Sequence, residues 1–368
     1  MELEKQILGR AREIKTDGYP MSIGEVLSLY RDGDIDIHPE FQRIFRWDED
    51  QKSRLIESIL LGIPIPPIFV SQRDDGVWDV IDGVQRLSTV LEFVGEYKNE
   101  AGLRTPSSTL RKTEYLPALD GCTWESGTDE EKVFSEPLRR DFKRAKLEFR
   151  IIRKESDANA KYDLFQRLNS GAQLSPQEAR NCLLVMMNVE LFNRVASLSQ
   201  QDEFVSCTPL SDRQEDQAYR QELVLRFFSQ ADFDRGEGQL DVEYGEYLTN
   251  WMRRKAEGPS AELNDVDSGL FESCFRLLGG ALGEDSFRRW DPERGAHLGP
   301  FSISSYEFVT TGLASNFSRW VSRPDELTTR IRGTWSEPTF RDNSGSGISP
   351  RRRVPKLVHA ARRYFAEG

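Results

Sequence analysis

The spacing of apolar residues predicts strands and helices that alternate in the first half of the chain. Residues 50–61 carry leucine and isoleucine at helical spacing and Gly62 follows, which predicts an amphipathic helix with a defined end. The apolar runs 68–70 and 77–81 flank a turn at 74–76. Two short apolar runs around such a turn predict a pair of neighbouring strands.

Further elements are predicted around this hairpin. Residues 1–34 are polar and are predicted to be helical, with one helix that starts at Ser22 as its N-cap. Short strands are predicted at 35–38 and 147–152, and helices at 85–96 and 157–168. Ser175-Pro-Gln-Glu has the spacing of a capping box and starts a helix that ends near Met187. Beyond residue 188 we find no strand pattern, and helices are predicted near 188–198, 215–230, 240–256, 267–281, 304–321 and 354–366.

These elements predict an α+β domain followed by an all-α domain. The 368-residue chain is long enough for about two domains of ordinary size. We place the first domain at 1–187, with its core at about 35–170, and the helical domain at 188–368.

Composition excludes several classes of protein. No run approaches the ~18–20 apolar residues of a membrane helix, and the N-terminus has no apolar signal segment. The 4 cysteines and 3 histidines are too dispersed for a disulfide framework or a His/Cys metal site. We therefore expect a cytoplasmic protein with no membrane partner.

The charge is unevenly distributed. The net charge is −11, yet residues 139–154 contain eight Arg/Lys against two acidic residues, and residues 351–368 contain six against one. Either run can form a basic face for phosphates on an acidic body. The alternative is that each run is a solvated helix face.

The segment Asp82-Gly83-Val84-Gln85-Arg86 lies where a strand ends and a helix starts. A helix N-terminus presents free N–H groups to an anion, and Gly83 lets the backbone approach a phosphate. Arg86 can hold phosphate oxygens, Asp82 can bind Mg²⁺ or a water, and Gln85 can orient a water or a ribose hydroxyl. The alternative is a tight turn with an internal Asp–Arg pair.

Two further segments offer ligand-binding side chains. In the segment 39–47, Arg43 can meet a phosphate and Trp47 can stack on a base; the alternative is an aromatic loop anchored in the core. In the segment 165–171, Arg167 and Asn169 can reach a ligand, although Asn-Ser-Gly is also an ordinary helix end.

Together these segments resemble a known family over about residues 20–187. The motifs, in order, are His38-Pro-Glu-Phe-Gln-Arg with Trp47, Leu55-Ile-Glu-Ser-Ile-Leu-Leu-Gly-Ile-Pro-Ile-Pro-Pro-Ile, Val80-Ile-Asp-Gly-Val-Gln-Arg-Leu, and Phe165-Gln-Arg-Leu-Asn-Ser-Gly-Ala-Gln-Leu-Ser-Pro-Gln-Glu. This order closely resembles the N-terminal domain of GmrSD-type restriction endonucleases.

The resemblance implies a ParB/sulfiredoxin-like fold and a place in bacterial anti-phage or restriction systems that depend on DNA modification. Its Asp-Gly-x-Gln-Arg motif is associated with nucleotide binding and hydrolysis or with support of a nuclease, and it corresponds here to Asp82, Gly83, Gln85 and Arg86, with Arg43 as partner. The usual family form has Gln where this chain has Val84. Many members also have an HNH nuclease half, but His297 and His359 stand alone here, so we expect no HNH site.

The resemblance and the residues together favour a Mg²⁺-dependent NTPase that acts on or senses DNA. Its catalytic residues would be Asp82, Gln85 and Arg86, with Asp82 also the metal ligand. The NTP would be bound by Arg43, Trp47, Gly83, Arg86, Arg167 and Asn169. We also expect a nuclease or modification-system partner subunit, or self-association.

Three alternatives remain open at this point. One is a DNA-binding sensor without catalysis, with the 139–154 run on the phosphate backbone. Another is a ParB-like nuclease in which Asp82 and Glu57 share a metal. The last is a helical scaffold for partner docking.

Overall fold

The structure is a computed structural model that describes residues 3, 15–37, 47–99, 102–125, 132–156, 175–233, 240–258, 265–345 and 347–367. The chain divides into two compact units, Met1–Leu174 and Ser175–Gly368. This division precedes the boundary that we placed after residue 187, and the helix that starts after Ser175 therefore groups with the second unit.

A five-stranded mixed sheet is the centre of the first unit. Its strands are β1 (Thr16–Ser22), β2 (Ile35–Asp36), β3 (Ile68–Gln72), β4 (Trp78–Asp82) and β5 (Lys146–Ile152). Their order is β1-β5-β3-β4-β2, with β1–β5 and β3–β4 antiparallel and β3–β5 and β2–β4 parallel. The described helices of this unit are α1 (Ile23–Asp32), α2 (Glu49–Leu61), α3 (Val84–Phe93) and α4 (Glu136–Arg144).

Local capping explains why the predicted helices begin and end where they do. The Ser22 hydroxyl accepts the N–H of Glu25 at 3.2 Å, which starts α1 at the predicted cap. A reciprocal capping box between Asp48 and Gln51 starts α2, and Gly62 ends it in the left-handed conformation.

Strand β1 corrects the prediction that residues 1–34 are helical. Its sequence contains Asp17, Gly18 and Pro20, which strands disfavour. The strand forms because seven of its residues pair with β5, and its place at the sheet edge tolerates a proline. Pairing across the chain therefore overrides the local preference.

An aromatic cluster joins Trp124 and Phe134 of the loop-rich stretch to helix α3. The ring of Phe93 on α3 lies 5.6 Å from Trp124, 5.1 Å from Phe134 and 5.7 Å from Phe142 between ring centroids, in edge-to-face arrangements. All four side chains are buried. The cluster packs against α3, the helix that starts at the Asp82–Arg86 motif.

The second unit is mainly helical. Its described helices are α5 (Pro176–Met187), α6 (Val189–Ser199), α7 (Asp202–Cys207), α8 (Asp212–Asp216), α9 (Tyr219–Ala231), α10 (Tyr244–Glu257), α11 (Asp265–Ala281), α12 (Ile303–Ser315), α13 (Phe317–Trp320), α14 (Pro324–Gly333), α15 (Pro338–Asn343) and α16 (Pro350–Ala366). The Ser175–Glu178 capping box starts α5 as predicted.

A small hairpin corrects the prediction of an all-α second part. Strands β6 (Arg289–Asp291) and β7 (Ala296–Leu298) pair antiparallel, and the Asp291 carboxylate accepts two N–H groups of the turn. Strands of three residues are too short to show an alternating pattern, so the sequence analysis missed them.

Buried ion pairs join four helices of the second unit. Glu222 on α9 contacts Arg180 on α5 and Arg226 on its own helix. Arg226 also contacts Glu307 on α12 at 2.7 Å, and Glu307 contacts Arg353 on α16 at 2.9 Å. Glu307 is fully buried, and the other members are at most 8% exposed. This network explains why α5 belongs to the second unit.

The architecture confirms a mixed domain of strands and helices followed by a mainly helical part. The ParB/sulfiredoxin likeness stays a prediction. Within the described ranges, we find no helix with the length and apolar content needed to cross a membrane.

Candidate functional site

The Asp82–Arg86 motif forms a sharp turn from β4 into α3. Strand β4 ends at Asp82, and Gly83 has a φ of 97° before α3 begins at Val84. A Cβ atom on Gly83 would lie 3.0 Å from Cγ1 and 3.3 Å from Cα of Ile68. Only glycine combines this backbone angle with such a close approach to β3, so the turn depends on residue 83.

Arg86 reaches back from the first turn of α3 to the chain before β3. Its guanidinium donates to the Asp82 carboxylate at 2.8 Å, to the Pro67 carbonyl at 3.0 Å and to the Pro66 carbonyl. Its side chain is 12% exposed, and that of Asp82 is 34% exposed. The internal Asp–Arg pair that we considered as an alternative is therefore present, and it fixes the orientation of the Arg86 fork.

Gln85 connects this turn to the segment that ends at Trp47. The Gln85 side-chain oxygen accepts the backbone N–H of Trp47 at 3.1 Å. Its NH₂ group is consequently the end that remains to donate to a ligand. The structure thus brings Trp47, half-buried, to the motif across 38 residues of sequence.

The N-terminus of α3 has no side-chain cap. The first N–H groups of a helix have no partner within the helix, and they carry its partial positive charge. Val84 is buried and adds no polar group at this position. The uncapped end of α3 lies beside the Asp82 carboxylate and the Arg86 guanidinium, and an uncapped helix N-terminus can accept an anion.

The fit of Mg²⁺ rests on Asp82 alone among the described side chains near the turn. One Asp82 oxygen faces Arg86, and the partial exposure of the carboxylate leaves room for a ligand. In the described ranges there is no group of three His, Cys, Asp or Glu side chains that could hold a metal. A single carboxylate suits Mg²⁺ when phosphate oxygens and waters complete its shell.

Glu57, which the sequence analysis considered as a second metal ligand, has hydrogen-bond partners of its own. It is buried on α2, and its Oε1 accepts the N–H groups of Tyr115 at 2.9 Å and Leu116 at 2.8 Å. Burial raises the pKa of Glu57, but these hydrogen bonds and one from Thr113 outweigh it, so that the pKa lies below its ordinary value. The carboxylate fastens the 113–116 loop to α2.

Three of the predicted ligand-binding residues lie outside the described residues. These are Arg43, Arg167 and Asn169, together with the predicted helix at 157–168. They stay predictions.

The sequence analysis missed the acceptors of Arg86, which are the carbonyl groups of Pro66 and Pro67. A signal was available, because Pro64-Ile-Pro-Pro forces extended backbone before β3. Extended backbone leaves carbonyl groups open to a side-chain donor.

A cleft of about 550 Å³ lies away from this turn in the first unit. Its lining includes Lys52, Glu92, Arg111 and Asp120 but none of the motif residues. Lys52 and Glu92 contact each other at 2.6 Å, and Arg111 contacts Glu49. Its charges thus have partners of their own, and we assign no ligand to it.

Comparison with known families finds a match for part of the chain. Residues 23–185 match the model of the GmrSD restriction endonuclease N-terminal domain, a range that contains Trp47 and the whole Asp82–Arg86 turn. No curated protein and no solved structure matches the chain. Over residues 23–185, this chain is therefore similar to the N-terminal domain of GmrSD restriction endonucleases.

Proposed function

We propose that this protein is a component of a restriction system that acts on DNA, and that the Asp82–Arg86 turn binds and hydrolyses a nucleoside triphosphate. The supporting observation is the convergence at one turn of an uncapped helix N-terminus, an oriented arginine and a carboxylate that is about one third exposed. Helix N-termini, arginines and carboxylate-bound metals recur where proteins bind triphosphates. The family supplies the DNA context.

Each residue of the turn has a distinct part in this proposal. The N–H groups that follow Gly83 bind phosphate oxygens, which the glycine allows to come close to the backbone. Arg86, already oriented by Asp82 and the Pro66 and Pro67 carbonyls, offers its remaining N–H groups to the same anion. Gln85 donates from its NH₂ group, because its oxygen is engaged by Trp47.

Asp82 would hold Mg²⁺, which neutralises phosphate charge when it is bound. The carboxylate also keeps Arg86 in place, so its loss should disturb two parts of the site together. A sensor that binds nucleotide without hydrolysing it would use the same residues. A phosphate-release assay distinguishes such a sensor from an NTPase.

The test is phosphate release from each of the four NTPs with Mg²⁺, with and without duplex DNA. We expect Asp82→Ala to lower turnover by about 100-fold, as loss of an electrostatic catalytic group does. Asp74→Ala, in the exposed turn between β3 and β4, is the matched control and should behave as wild type.

Equal turnover in the Asp82→Ala and Asp74→Ala proteins would contradict the assignment. Nucleotide binding without release in the wild type would favour the sensor. Stimulation by DNA would connect turnover to the restriction function.

A further inference from the structure

The C-terminal helix α16 has basic residues on two faces, one packed against its own unit and one exposed to solvent. Arg353 is 7% exposed and contacts the buried Glu307. Arg351 donates to the Leu240 carbonyl at 2.6 Å, and Arg362 donates to the Gln230 carbonyl at 3.1 Å. These three arginines fasten α16 to its own unit.

Pro355 strengthens this attachment without breaking the helix. A proline has no N–H group to donate to the carbonyl four residues earlier, which is that of Arg351. The Leu240 N–H donates to this carbonyl at 3.1 Å instead. Helix α16 is therefore continuous from Pro350 to Ala366.

The remaining basic residues form one stripe on that outer face. Arg352, Lys356 and Arg363 are exposed, and His359 between them is half-buried. Their spacing of four, three and four residues places them on one side of a helix. At about 1.5 Å per residue the stripe is about 16 Å long. Within the described ranges, no acidic residue forms an ion pair with Arg352 or Lys356.

In the other basic run of the sequence, residues 139–154, five arginines contact carboxylates. Arg139 contacts Glu125 at 3.3 Å, Arg144 contacts Asp141 at 3.6 Å, and Arg150 contacts Glu148 at 3.6 Å. Arg140 and Arg153 contact Glu136 and Asp17 in the same way. Carboxylates thus offset much of the positive charge of residues 139–154.

We infer that the Arg352–Lys356–Arg363 stripe binds the phosphate backbone of DNA. DNA carries a dense line of negative charge, and a straight row of exposed cations on a rigid helix complements it. Contacts of this type position a protein without reading base sequence. This inference rests on the proposal that the protein acts on DNA, and it does not depend on nucleotide turnover at the Asp82–Arg86 turn.

The test compares two triple variants of the full chain, R352Q/K356Q/R363Q and R140Q/R144Q/R150Q, which remove equal charge from the two basic runs. Binding to a fluorescent duplex of mixed sequence is measured by anisotropy over a series of salt concentrations. Each phosphate contact contributes about −0.9 to the slope of log K against log salt. We expect the stripe variant to reduce the steepness of that slope by about 2.7, and the control variant by less than about 1.

Thermal unfolding checks that both variants fold, and phosphate release without DNA should be unchanged in the stripe variant. Equal losses in the two variants, or a larger loss in the 139–154 variant, would overturn the stripe. A wild-type protein that does not bind DNA at low salt would overturn both the stripe and the DNA-directed function. DNA binding with the same affinity and salt slope in the stripe variant as in wild type would contradict the role of the stripe but not the DNA-directed function.

Discussion

The side-chain oxygen of Gln85 accepts the backbone N–H of Trp47 at 3.1 Å, so two motifs that are far apart in sequence meet at the start of one helix. This contact orients the Gln85 amide, so that its oxygen faces the Trp47 N–H and its NH₂ group is the donor for a ligand. Gln85 can therefore donate to a phosphate or ribose oxygen.

Two substitutions of Gln85 should separate its structural contact from its ligand contact. Gln85→Ala removes the acceptor of the Trp47 N–H and should lower the free energy of unfolding by about 1 kcal/mol. Gln85→Glu keeps an acceptor but removes the donor and adds a charge that repels phosphate. It should unfold like wild type in urea and bind NTP at least about 10-fold more weakly. A Gln85→Glu protein with wild-type nucleotide affinity would contradict this role.

Gly83 should be sensitive to a single added methyl group. Gly83→Ala places a Cβ on a residue with a φ of 97° and 3.0 Å from the Ile68 side chain. The loss in the free energy of unfolding should be about 2–3 kcal/mol, from backbone strain and the close contact together.

The control for this substitution is Gly76→Ala. Gly76 has a φ of 95°, and a Cβ atom there meets nothing within 4 Å. Urea unfolding of Gly76→Ala measures the cost of backbone strain alone, and that of Gly83→Ala measures strain together with the close contact to Ile68. Equal losses would show that the approach to Ile68 does not constrain the turn.

The lowered pKa of Glu57 predicts a specific pH dependence of stability. An acid whose folded pKa lies below its unfolded value stabilises the fold above the unfolded pKa, here about 4.5, and this contribution is lost as the pH falls through the folded pKa. Glu57→Gln should therefore lose stability at pH 7 and approach wild type under acid conditions below pH 4.5.

Urea midpoints of wild type and Glu57→Gln across this pH range measure the effect. Glu114→Gln, which changes an exposed carboxylate in the loop that Glu57 holds, is the control and should follow wild type throughout. A difference between wild type and Glu57→Gln that does not change with pH would contradict the ionised, hydrogen-bonded state of Glu57.

Removing the charge of one partner in the buried ion pairs of the second unit should lower the free energy of unfolding strongly. Glu307→Gln leaves Arg226 and Arg353 without their shared carboxylate in the interior. We expect a loss of about 3–5 kcal/mol in the free energy of unfolding. The control is Glu326→Gln, which removes an exposed contact of 3.4 Å with Arg323 and should cost less than about 1 kcal/mol. A loss of less than about 1 kcal/mol in Glu307→Gln would show that the network does not hold the helices together.

The family itself was recognisable from sequence, because the motifs that define it are short, local and ordered along the chain. The order of residues at the Asp82–Arg86 turn also predicted a strand end followed by a helix, which the structure confirms. The partners of those residues were not predictable, since Arg86 bonds to carbonyl groups 19 and 20 residues away and Gln85 to an N–H group 38 residues away.

The sequence by itself determined the elements whose ends are set by residues three or four positions apart. The caps at Ser22, Asp48 and Ser175 are of this kind, because their hydrogen bonds close within one turn of chain. Only the tertiary structure decided the rest. Strand β1 forms because it pairs with β5. Whether a basic residue of the two charged runs is paired or exposed depends on which carboxylate or carbonyl the fold places beside it. A capping hydrogen bond joins residues that are close in sequence, so the sequence alone predicts it. Burial and ion pairing depend on segments that meet only when the chain is folded.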